Sequence, residues 1–234
     1  MSPKRGPVTS KPRRRTPPRE PARRRRNRPQ FYKLPVRKTP PGLPEPPAPF
    51  RISRELPPGN HPLTTVFPGF LEAPPFAKYP GPADRTRAIA EGTSVQIVPD
   101  ETWMYVAPHA VPPFAEEAGW KPHTSRTNCI VVGLKHLSKS PSITLYMDIY
   151  HEFFHILQRE AGRELWDEAH DYVDSPTELE AYRFSIAEAR RLGVPDSFLR
   201  HYLEVEWVSP TDHLRLLRNL GVGPPEPSSG RVRR

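Results

Sequence analysis

The chain has 234 residues, 34 of them proline and one a cysteine, with a formal net charge of +9. The lone Cys129 excludes an internal disulfide and fits a reducing, cytoplasmic setting. No apolar run is long enough for a membrane span, and the arginine-rich start lacks the apolar stretch of a secretory signal.

The charge is uneven. Residues 1–40 carry 15 Lys and Arg against one acid, Glu20, a net of +14, which leaves 20 basic and 25 acidic side chains, a net of −5, for the rest. Residues 1–48 read as a disordered basic Pro/Arg-rich tail, because almost nothing apolar is there to offset the entropy of ordering it. Its runs Arg13, Arg14, Arg15 and Arg23, Arg24, Arg25, Arg26 either bind the phosphates of nucleic acid nonspecifically, through counterion release, or form a solvated appendage. "KTPPGLP" also matches a basic polyproline ligand pattern. Residues 49–82, with "EAPPFAKYPGPA", read as a Pro-rich extended linker that Phe50, Phe67, Phe70 and Phe76 dock in part onto a domain surface. Residues 83–221 suit one domain with one core, and 222–234 read as a disordered C-terminal tail.

Within the domain, "ADRTRAIAEG" predicts a short helix closed by Gly92. "TSVQIVPD" and "TWMYVAPH" are β-branched or aromatic runs separated by Pro-Asp, a pattern for two strands paired with each other. "NCIVVGLKHL", residues 128–137, is the strongest strand. "SPSITLYMDIYHEFFHILQREAG" follows as a helix, with Ser140 as N-cap, Pro141 at the first helical position and Gly162 at the close. "SPTELEAYRFSIAEARRLG" repeats that arrangement from Ser175 and Pro176 to Gly193, and two shorter helices start near Pro195 and Ser209. Strands first and helices afterwards give an α+β fold, a small sheet packed against the central helix and those that follow it. Cys129 reads as a small core residue, and His201 and His213 as surface or packing residues.

On a helical wheel the apolar residues between Ile143 and Leu157 cover more than half the circumference, so the central helix is largely buried. The remaining stripe holds Thr144, Asp148, His151, Glu152, His155 and Gln158. A solvated stripe would more usually carry Lys and Glu pairs; this one reads as the floor of a cleft. Histidines at i and i+4 share a helical face, so both imidazoles can reach one ion at about 2.0–2.1 Å, the zinc–nitrogen distance. Glu152 is rotated off that face and can take a proton from a metal-bound water.

"HEFFH" followed by "ELEAY" resembles the gluzincin metallopeptidases, particularly the minimal, ImmA/IrrE-like ones. The resemblance covers roughly residues 129–192. It implies His151 and His155 as histidine ligands of one zinc ion, Glu152 as general base, Glu178 as third ligand and Ala181 as the small residue after it. The metzincin variant is excluded, since its third histidine would fall on Ala161. The family commonly has Asp or Asn four residues after the ligand glutamate, where this chain has Tyr182. That residue is either core or a donor to an oxyanion, with His170 and Tyr172 as further candidates for the latter.

On the second helix Glu178 shares a quadrant with Leu179, Tyr182, Ile186 and Ala189, while Glu180 falls with Arg183, Ala187 and Arg191 on a face that reads as solvated. Ser175 and Glu178 also fit a capping box, so metal ligand and helix cap stay open for Glu178. The expectation is a zinc-dependent metallopeptidase acting on a peptide or protein substrate, with no membrane partner. The alternative is a non-catalytic, zinc-containing, nucleic-acid-associated regulatory protein, which a closed fourth ligand such as His170 would favour; Asp171 and Asp174 lie in the same loop.

Overall fold

The computed structural model describes residues 42–99, 103–107, 128–165, 169–205 and 208–223. Among them the chain forms strands β1 (Gly59–Pro62), β2 (Ser94–Val98), β3 (Met104–Val106) and β4 (Cys129–Gly133). The helices are α1 (Leu63–Val66), α2 (Ala83–Glu91), α3 (Leu134–Lys139), α4 (Ser142–Glu160), α5 (Pro176–Arg191), α6 (Asp196–Tyr202) and α7 (Pro210–Asn219). Single 3₁₀ turns lie at Phe76–Lys78 and Tyr172–Asp174. No helix among the described residues is long and apolar enough to cross a membrane.

The fold is α+β, as expected. One sheet runs in the order β1-β2-β4-β3, with β2 and β4 parallel at its centre and β1 and β3 antiparallel on its flanks. Alternation along the strands sends Val95, Ile97, Met104, Val106, Ile130 and Val132 into the main core, while Ala107, Cys129 and Val131 form a small cluster on the other face. Helix α4 crosses the inner face, and every apolar residue expected to bury on it does so.

Several local expectations are corrected. Strands β2 and β3 do not pair with each other, because β4 lies between them. The most apolar strand takes the interior position and the three-residue β3 becomes an edge, which limits the unpaired backbone left outside. Strand β4 also stops at Gly133. Leu134 and Leu137, three apart, suit a helical turn on the core, and α3 begins there. Ser140 closes α3 rather than capping α4, whose N-cap is Pro141. The starts and ends of α2, α5 and α7 agree with their Pro and Gly signals, and Ser209 caps α7 by accepting the Asp212 N–H at 3.1 Å.

The largest correction concerns residues 49–82, read as a linker with partial docking. This segment supplies β1 and α1 and is part of the same core: Phe67 and Phe70 are fully buried beside Phe50, Phe76 and Tyr79. Burying each such ring is worth about 1.5–3 kcal/mol, enough to order a chain whose prolines already restrict it. Phe70 stacks on Tyr150 of α4 at 4.6 Å and meets Phe153 edge-on at 5.3 Å. The Tyr150 hydroxyl donates to the Phe70 carbonyl, and the Tyr79 hydroxyl to the Tyr150 carbonyl, both at 2.8 Å. Gly69 has φ +76°, and any side chain there would run into the Pro49 backbone. Leu43 and Val222 also pack on this core, so both tail boundaries, at 48 and 222, lie inside the folded region. The tail readings for 1–41 and 224–234, with all seven arginines of the two runs, lie outside the described residues.

Candidate metal centre

The site lies where α4 and α5 pack along each other. His151 and His155 project from adjacent turns of α4, and Glu178 projects from the first turn of α5. Their donor atoms converge. The two Nε2 atoms are 3.0 Å apart, and the Glu178 carboxylate oxygens stand 3.5 Å from each of them. Ligands about 2.0–2.1 Å from one tetrahedral ion would lie roughly 3.3 Å from one another, so the triangle fits a metal ion. These three residues could hold one, and they form the one such group found among the described residues. The Glu178 side chain is 19 % exposed against 7 % for each histidine, so the carboxylate is the least covered of the three among the described residues.

The capping-box alternative for Glu178 is not what forms. Ser175 makes no side-chain cap bond; its hydroxyl turns to Thr177 Oγ1 at 3.0 Å, and its own N–H donates to the Tyr172 carbonyl. Glu180 is half-exposed but not simply solvated, since it accepts from Gln158 Nε2 at 3.0 Å and from the Arg163 guanidinium.

Charge within the site follows from burial and proximity. Burial pulls the His155 imidazole down, but the carboxylates of Glu178 and Glu152 and the Gln158 carbonyl outweigh it and raise the group to about 9. Burial also disfavours the charged Glu178, and the two histidines outweigh it, holding that carboxyl well below the usual carboxylate range. Burial keeps His151 below its ordinary value; Glu178 opposes this and the charge on His155 adds to it.

Glu152 is not part of the ligand group. Its Oε2 accepts the N–H of Val106, on β3, at 3.0 Å. Burial pushes its carboxyl up to about 8, with Glu178 and Asp148 adding to the effect while His155 and the Val106 N–H oppose it.

The Tyr182 ring lies against His151, 4.3 Å between centroids, and its hydroxyl meets that of Tyr172 at 2.6 Å. Burial raises both phenols well above the ordinary value, so both remain neutral donors beside the triangle. His170 is exposed and stands outside the metal group. Asp171 and Asp174 are engaged with Arg215 of α7, and Asp174 also with Asn219. His201 is exposed, and the His213 ring sits 3.2 Å from the Arg200 carbonyl.

Sequence reasoning assigned no role to two groups on the same face of α4. Asp148 is bound at 2.8 Å by both His136 Nε2 and the Tyr202 hydroxyl, and Ser140 Oγ lies 2.8 Å from His136 Nδ1. Gln158, three residues past His155, is buried against that ring. An uncharged amide on a stripe otherwise made of histidines and carboxylates was the available signal. No protein-family model, curated protein or solved structure matches the chain.

Proposed function

We propose that this chain is a zinc-dependent metallopeptidase of the minimal gluzincin type, holding one ion through His151, His155 and Glu178. The observation that carries the reading is the convergence of two Nε2 atoms and a carboxylate within 3.0–3.5 Å, with Glu152 beside them but off their face. The donor chemistry, two imidazoles and one carboxylate, suits zinc. Zinc would supply a Lewis acid that makes water nucleophilic at neutral pH and polarises a carbonyl.

The chain's own residues account for the remaining work. Burial holds the Glu152 carboxyl up near 8, and a cation bound beside it would bring it down into its ionised form, in which it takes a proton from the attacking water and returns it to the amine nitrogen as the C–N bond breaks. Tyr182, backed by Tyr172, donates to the oxygen that gains charge. Strand β4 is paired on both sides, so alignment of an extended substrate falls to β3, at the edge of the sheet among the described residues. Because Trp103 and Ala107 make the ladder bonds to β4, the N–H groups of Met104 and Val106 turn away from it; that of Val106 is held by Glu152, which leaves the Met104 N–H as the donor to an extended chain. Among the described residues the group has three ligands, which would leave a coordination position for water and supports catalysis over a structural ion. The arginine runs of the tail would hold nucleic acid nonspecifically. A cytoplasmic setting agrees with the buried, unpaired Cys129.

Metal analysis of purified protein tests the site. One zinc per chain, lost in both His151→Ala and His155→Ala, is the expected result. Full metal content in either variant overturns the assignment.

A further inference from the structure

Zinc ligands require more than the right atoms at the right distance. An imidazole offers a lone pair from only one nitrogen when neutral, and the hydrogen bond made by the other nitrogen decides which. The two histidines of this site differ in that respect. His151 Nδ1 is buried with no hydrogen-bond partner among the described residues, and its ring is steadied by packing on Tyr182. His155 Nδ1 lies 2.8 Å from Gln158 Oε1.

The orientation of the Gln158 amide is forced by its other neighbours. Its second end reaches the Thr177 carbonyl and the Glu180 carboxylate, each at 3.0 Å. Both of those are acceptors at neutral pH, so the NH₂ must face them and the carbonyl oxygen must face His155. An oxygen only accepts. His155 Nδ1 therefore carries a hydrogen, and the lone pair of the neutral ring sits on Nε2, the atom that faces His151 and Glu178. The Arg163 guanidinium holds Glu180 in turn.

The same amide also reaches the other ligand-bearing helix. Thr177 directly precedes Glu178, so the bond to its carbonyl ties the first turn of α5 to the last turns of α4. One buried side chain thus touches the ring of the second ligand and the backbone beside the third.

We propose that Gln158 is the positioning residue of this site, fixing the Nδ1–H tautomer of His155 and the offset between His155 and Glu178. Its effect on metal affinity rests on the metal-centre reading above; its effect on the tautomer does not. Two variants of the full-length chain test it. Gln158→Met keeps the length of the side chain and removes the acceptor. Gln158→Glu combined with Glu180→Gln keeps the acceptor on His155 and avoids two facing carboxylates.

The first readout is the tautomer of His155 in metal-free protein, from long-range ¹H–¹⁵N correlation at about pH 10, where the ring is neutral. The second is zinc affinity by competition with a chelator. Wild type and the double variant should both show Nδ1–H; the double variant has no donor left for the Thr177 carbonyl, so its zinc affinity should fall between wild type and Gln158→Met. Gln158→Met should lose the Nδ1–H preference and bind zinc about tenfold to a hundredfold more weakly. Gln158→Met with an unchanged tautomer, or with zinc affinity within about twofold of wild type, overturns the proposal. If Gln158→Met does not fold, the double variant decides, because loss of the tautomer there also overturns it. If wild type takes up no zinc, the metal reading fails, while the tautomer comparison still decides the role of Gln158.

Discussion

Replacing Glu178 with glutamine tests what that carboxylate does before any metal arrives. In the metal-free site it stands 3.5 Å from His155 Nε2 and is the main partner that raises that imidazole, against burial, from 6.5 to about 9. A histidine raised in this way contributes stability that is complete below its unfolded value near 6.5 and is lost as pH rises through about 9. The depressed carboxyl of Glu178 contributes stability that is present above its unfolded value near 4.5 and lost as pH falls. Both contributions are therefore complete only between about pH 4.5 and 6.5. At about 1.4 kcal/mol per pH unit, the histidine contribution is on the order of 3 kcal/mol at its maximum, little less at pH 7 and well under about 1 kcal/mol at pH 9.

Glu178→Gln should accordingly destabilise the metal-free protein by about 2–3 kcal/mol at pH 7 and by less than about 1 kcal/mol at pH 9. A lost helix cap would cost about 1 kcal/mol with little dependence on pH over that range. The pH dependence, more than the size, separates the two. Urea unfolding of chelator-treated wild type and variant at about pH 6, 7.5 and 9 reads it directly. An equal loss at all three values would refute the ion-pair reasoning and return Glu178 to a capping role.

Zinc requires a neutral His155, so apparent zinc affinity should rise about tenfold per pH unit from about pH 7 to 9, as measured against a competing chelator. A curve that is flat above pH 7 would contradict the raised imidazole. Tyr182→Phe keeps the ring on His151 and removes the hydroxyl; kcat should fall about tenfold to a hundredfold with zinc content unchanged. An unchanged kcat would assign that residue to the core. Deleting residues 1–41 should leave cooperative unfolding and zinc content intact while removing salt-sensitive affinity for DNA. Deleting residues 1–82 should abolish cooperative unfolding in a thermal melt, because β1 and the rings of Phe50, Phe67 and Phe70 go with it. A cooperative melt in that shorter chain would restore the linker reading.

The helices that carry the site were legible because their signals are local. The i, i+4 spacing of His151 and His155 and the Pro176 to Gly193 frame of α5 each lie within a few turns of chain. The sheet was not, since pairing β2 with β4 rather than with β3 is decided by which strand is best buried, a long-range matter. Residues 49–82 failed for a related reason. Phe50, Phe67, Phe70 and Phe76 are spaced irregularly between prolines and show no period of 2 or 3.6, yet all join the one core cluster that α4 also lines. Gln158 and Asp148 were visible on the polar stripe, but their partners Thr177, Glu180, His136 and Tyr202 come from other helices or their flanks, and no spacing along the chain announces them.

The central claim is that the three ligands hold metal while Glu152 performs chemistry. Glu152→Gln preserves shape and the acceptor for the Val106 N–H but removes the base. Zinc content and cleavage of a denatured protein substrate, measured on the same preparations of wild type and variant, test the claim most directly. The account predicts equal zinc in both and a loss of cleavage of at least about a hundredfold in Glu152→Gln. Equal cleavage by the two proteins, or no cleavage by fully zinc-loaded wild type, would contradict it.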